Sequence, residues 1–168
     1  MPLRYNAQMQ ENNYAFIDSQ NVNLGVQALG WRLSHHKFFA YLKEKYAVEK
    51  AYLFIGYIAS NQSLYDRLSN AGFELIFKPT RMGSDGKIKG NVDSDLVLKA
   101  MIEFPHYNKA IIISNDGDFY SLVQYLYNHK KLEIVLSPNK KYCSSLLHEA
   151  ARGNIHFMNT ARQELEYN

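Results

Sequence analysis

Six short apolar segments punctuate the chain, and nearly every one is followed by a stretch with helical spacing. The segments are "YAFID" (14–18), "AYLFIGYI" (51–58), "FELIFK" (73–78), "KAIIIS" (109–114), "LEIVLS" (132–137) and "IHFM" (155–158). They are nearly continuous apolar runs, without the alternation of a strand that keeps one face in water. A strand of that kind is buried on both faces, which predicts a mainly parallel sheet between two layers of helices. The expected fold is therefore α/β, a three-layer α/β/α sandwich.

Helical periodicity fills the intervals. Ser34 is placed to cap a helix that presents Phe38, Phe39, Leu42 and Tyr46 on one face. Residues 61–71 carry Leu64 and Leu68 inward and stop at Gly72. Residues 93–104 offer Leu96, Val97, Ala100 and Met101 before Pro105. Helices are also predicted over 118–129 and 142–151, with a short one at the C-terminus. The segment "PTRMGSDGKIKGN" (79–91) is read as a loop rich in Gly and Lys/Arg.

At 168 residues the chain suits one domain over 14–168, behind a flexible polar tail at 1–13. Its 46% hydrophobic and 21% charged residues are ordinary for a globular protein. The longest apolar run, 51–59, is too short to span a bilayer, which needs ~20 residues. The N-terminus lacks an apolar signal-peptide core, and the single Cys143 permits no internal disulfide. Together these predict a cytoplasmic protein with no membrane partner.

In a doubly wound sheet, ligands bind outside the carboxyl ends of the strands, where the strand order reverses. Those ends carry acids here. Asp18 closes the first strand. Asp116 and Asp118 follow the fourth. Asp93 and Asp95 open the helix just before it. Each alone reads as a helix cap or a turn residue. If the first and fourth strands are neighbours, four or five carboxylates converge, and that many like charges need a cation. Hard oxygen ligands suit Mg²⁺ or Mn²⁺. Residues two apart on a helix point to nearly opposite sides, so only one of Asp93 and Asp95 is expected to reach the metal.

Three segments, "FIDSQNVNLG" (16–25), "KGNVDSDLVLKAM" (89–101) and "IIISNDGDFYSLV" (111–123), resemble the signature segments of the NYN domain family. These are PIN-like nucleases, and the LabA-like bacterial branch is nearest. The match runs in order over residues 14–158. The resemblance implies a PIN-like sandwich and metal-dependent RNA cleavage. It assigns Asp18, Asp93, Asp116 and Asp118 as catalytic and metal-binding acids, with Asp95 as a possible additional acid. It also carries over Asn21, to orient a water or a phosphate, and Ser114, which closes the fourth strand. Four features depart from the family pattern. Ser19 and Asn115 stand where Gly is common, Lys99 stands where many members have Asp, and "ARGNIHFM" lacks a frequent Asp.

Charge fits a polyanionic substrate. Setting the five site acids aside leaves 11 acidic residues against 19 Lys and Arg, an excess of eight positive charges. Lys78, Arg81, Lys87 and Lys89, and Lys140 and Lys141 after the fifth strand, are the candidate phosphate contacts. The 13 tyrosines could stack on unpaired bases, but most lie within apolar patterns that suit the core.

The expected activity is a metal-dependent ribonuclease, an endonuclease on RNA. One alternative is an RNA-binding or regulatory domain with little turnover. Another is a haloacid-dehalogenase-type phosphatase, whose chemistry wants an acid two residues after the nucleophilic Asp; Asp18 is followed by Ser19 and Gln20. A homodimer would add substrate grip, though no residues mark its surface.

Overall fold

The computed structural model describes residues 11–86, 88–89 and 91–168. The tail reading for residues 1–10 and the candidate Lys87 lie outside the described residues. The central sheet has six strands: β1 (Asn13–Asp18), β2 (Val48–Tyr57), β3 (Glu74–Pro79), β6 (Ala110–Ile113), β7 (Leu132–Ser137) and β8 (Ile155–Phe157). Their order is β3-β2-β1-β6-β7-β8, and every pair is parallel. The chain winds outward from β1 to β3, then returns to the other side of β1 to lay down β6. The order reverses between β1 and β6, and their carboxyl ends flank the crevice there.

The continuous apolar strands are explained by a core on each face. Ala15 and Ile17 of β1, with Ile111 and Ile113 of β6, pack on one side against Val22 and Val26, Phe38 and Leu42, and Leu68. These come from helices α1 (Ser19–Ala28), α2 (His35–Tyr46) and α3 (Gln62–Ala71). Tyr14 and Phe16, with Ala110 and Ile112, face the other side, onto Leu96, Leu122, Leu126 and Leu147. Those belong to α4 (Asp93–Ile102), α5 (Tyr120–Asn128) and α6 (Ser145–Ala151). A short α7 (Arg162–Leu165) follows. This is the three-layer sandwich expected of the chain.

Local signals account for most helix ends. Ser34 Oγ accepts from Lys37 N at 3.3 Å and starts α2. Gly72, at φ 117°, ends α3 in a left-handed conformation that side chains with a Cβ avoid.

Three local expectations need correction. Residues 19–28 form α1, a helix not anticipated, because its buried face of Val22, Gly25 and Val26 is interrupted by a glycine and flanked by polar residues. The 79–91 loop contains a two-stranded antiparallel ribbon, β4 (Arg81–Met82) with β5 (Ile88–Lys89). β2 begins at Val48, three residues before the predicted start, because Val48 pairs with Asn13 at the head of β1. Among the described residues, no helix is long and apolar enough to cross a membrane.

Candidate metal centre

Asp18 is the last residue of β1 and only 7% exposed. It caps α1, one carboxylate oxygen accepting from Asn21 N at 3.3 Å. Asp116 lies just beyond β6. Its backbone N–H donates to Ser114 Oγ at 3.0 Å, and its own Oδ1 accepts from Asp118 N at 2.8 Å. That bond caps the 3₁₀ turn Gly117–Phe119 leading into α5. Asp93 is the first residue of α4, fixed where its N–H donates to Asn91 Oδ1 at 2.8 Å.

Three separate stretches of chain thus deliver carboxylates to one place. Asp93, Asp116 and Asp118 each offer an oxygen, and the three oxygens lie within 4.8 Å of one another. Asp18 lies within electrostatic reach of Asp93 and Asp116. Burial pushes the Asp18 carboxyl up to about 6, and Asp93 and Asp116 add to the rise. The Asn21 N–H and the Ser114 hydroxyl pull it partly back. Asp93 is also raised, first by burial and then by Asp116 and Asp118. Capping explains one oxygen of Asp18 and one of Asp116. Among the described residues, Asp93 and Asp118 cap no helix. An all-carboxylate, partly exposed donor set of this kind fits a hard divalent cation that keeps part of its water shell.

A polar network behind the acids sets their positions. Ser114 is fully buried and serves both Asp18 and the Asp116 backbone. Asn21 Oδ1 accepts from Asn115 N at 2.7 Å, tying α1 to the end of β6. The Asn115 side chain, at a position where Gly is common in the family, accepts from Ser137 Oγ at 2.5 Å and from Asn139 N at 3.4 Å. Asn139 Nδ2 in turn donates to Gly25 O at 3.1 Å. Among the described residues, no buried side-chain polar atom lacks a partner. Sequence reasoning missed Asn115, Ser137, Asn139 and Gly25 as parts of the site. The signal was present: an apolar run leads into Ser with Asn one or two residues on, twice, in "IISN" and "VLSPN".

Asp95 lies apart from the cluster. Its carboxylate pairs with Lys78 Nζ at 3.2 Å, facing a cleft away from Asp93. That cleft, about 1220 Å³, runs between β3 and α4, with Gln20 and Asn91 at its end nearest the acids and Lys78, Arg81 and Lys99 along it. Lys99 is paired with Glu103 at 3.1 Å. A smaller cleft of about 560 Å³ touches Asn21, Asp116 and Tyr142. Lys140 and Lys141 are exposed in the 3₁₀ turn Lys140–Tyr142 after β7. Lys89 lies in β5.

A parallel sandwich with strand-end aspartates at its switch point is the architecture of the PIN-like class. A family model for the NYN domain matches residues 14–158, nearly the whole described chain. The chain belongs to the NYN domain family. It resembles the crystal structure of a protein of unknown function from Vibrio parahaemolyticus, with a TM-score of 0.78 and 22% identity. That likeness covers 94% of this chain and 97% of the other, and it shows the shared fold. No curated protein matches the sequence.

Proposed function

We propose that the protein is a metal-dependent ribonuclease of the LabA-like kind, cutting RNA phosphodiester bonds with Mg²⁺ or Mn²⁺. The observation that carries this reading is the convergence of Asp93, Asp116 and Asp118 within 4.8 Å, beside Asp18, in a chain of a PIN-like nuclease family. A bound divalent ion supplies positive charge against the phosphate oxygens and a water acidified enough to attack at neutral pH. Asp93, Asp116 and Asp118 would hold the ion, and Asp18 adds negative charge within electrostatic reach of Asp93 and Asp116. Because Asn21 Oδ1 is occupied by Asn115 N, its Nδ2 is the end left to donate to a phosphate oxygen. Lys78 and Arg81 line the cleft beside α4, and Lys140 and Lys141 lie in the turn after β7; these are the basic residues proposed to meet the phosphates.

The test is Mn²⁺-dependent cleavage of a fluorescent single-stranded RNA by wild type and Asp116→Asn, with thermal melts of both. Asn keeps the cap and the turn, so the fold should stand while cleavage falls by orders of magnitude. RNA binding without cleavage by the wild type would make this an RNA-binding domain instead.

A further inference from the structure

Among the exposed tyrosines, Tyr142 is the one that lines a cleft with an acid of the cluster. Tyr57 lies against the rings of Tyr65 and Phe77, Tyr125 stacks on His129, and Arg32 covers Tyr167. Against Tyr142, among the described residues, there is no aromatic ring; the Lys141 ammonium lies 5.5 Å from its centroid. Tyr142 is 55% exposed, and Leu24, 59% exposed, lines the same cleft. Single apolar side chains on a surface need no explanation. These two, however, border a 560 Å³ cleft that also contains Asp116 of the acid cluster.

Gly25, Ala28 and Gly117 line the cleft with backbone and little side chain. Its aromatic wall is held firmly. Lys141 N donates to Asn139 Oδ1 at 3.0 Å, Lys140 N to Asn159 Oδ1 at 3.0 Å, and Ser144 N to Asn115 O at 3.0 Å. The turn bearing Tyr142 is thereby bolted to the strand end that carries Asp116. With the turn held by its backbone, a ligand stacking on Tyr142 has only the side-chain rotation of one tyrosine left to order. Lys141, whose ammonium lies against the Tyr142 ring, supplies charge for a phosphate backbone.

We propose that this cleft is a subsite for an unpaired nucleobase of the RNA strand, next to the phosphate at the acids, with Tyr142 as its stacking platform. The proposal rests on the ribonuclease reading and adds one residue to it: Tyr142 stacks on a base that is unpaired beside the scissile phosphate. Stacking tolerates every base, so the subsite selects for strandedness more than for sequence.

The experiment compares wild type, Tyr142→Phe and Tyr142→Ala on a short single-stranded RNA with one mapped cleavage site. The same RNA is also prepared with an abasic ribose at each position in turn. Tyr142→Ala should lower kcat/KM by about tenfold to a hundredfold, mainly through KM, and Tyr142→Phe should stay within about threefold of wild type. One abasic position beside the cleavage site should cost wild type a similar factor and cost Tyr142→Ala nothing further. Full activity in Tyr142→Ala, or abasic and Ala effects that simply multiply, overturns the subsite. Fluorescence anisotropy with the same RNAs runs in parallel. If the wild type cuts nothing, the ribonuclease reading fails, and the subsite is then judged by whether Tyr142→Ala weakens RNA binding.

Discussion

At the scale of single residues, the acids conflict with the stability of the chain that holds them. Asp18 carries a folded-state value of about 6 against an ordinary 3.8, so between those values the folded protein binds more protons than the unfolded one. Stability of the metal-free protein from this group is therefore present at low pH and lost as pH rises through about 6. A shift of this size corresponds to about 2–3 kcal/mol. Urea denaturation in a chelator should show Asp18→Asn more stable than wild type at pH 7.5, with the gap closing near pH 4. A gap that does not change with pH would mean that Asp18 is not strained. The paired acids of α4 should separate in the same plain way. Asp93→Asn should lose Mn²⁺ binding in calorimetry, whereas Asp95→Asn, which removes only the partner of Lys78, should retain it. The sequence could say that one of the two faces away, from helical geometry. Which one it is depends on where β3 places Lys78.

At the scale of elements, the site depends on how closely α1 approaches the loop after β7. A Cβ built on Gly25 would lie 2.7 Å from Pro138 Cβ and 3.5 Å from Asn115 Nδ2. Gly25→Ala should therefore push α1 outward, costing about 1–3 kcal/mol in denaturant melts and disturbing the Asn21–Asn115 bond as well. Unchanged stability would show that α1 has room to move. The strands were legible because burial on both faces leaves an unbroken apolar run. The helix at 19–28 was not, because its packing face includes a glycine whose value lies in the absence of a side chain. The ribbon at 81–89 was hidden for another reason: two-residue strands carry too little pattern to rise above a Gly-rich loop.

At the scale of the whole molecule, Lys and Arg outnumber Asp and Glu by 19 to 16 although several of the acids are gathered in one cluster. Replacing Lys78, Arg81, Lys140 and Lys141 together with Ala should lower the salt dependence of RNA binding by about 0.7 in log–log slope for each phosphate no longer neutralised. Anisotropy titrations across salt concentrations measure it, and an unaltered slope would leave these residues as solvated surface. Mn²⁺ binding should persist in that variant. The sequence by itself determined the layered α/β class and the strand-end positions of Asp18, Asp116 and Asp118, because burial and turn chemistry are written in local patterns of residues. It also marked out the family through three short segments. Only the tertiary structure decided that β6 lies against β1, that Asp93 joins the cluster while Asp95 turns to Lys78, and that Asn115, Ser137 and Asn139 brace the site. Those outcomes depend on contacts between residues tens of positions apart, and no local spacing encodes a distance across a sheet.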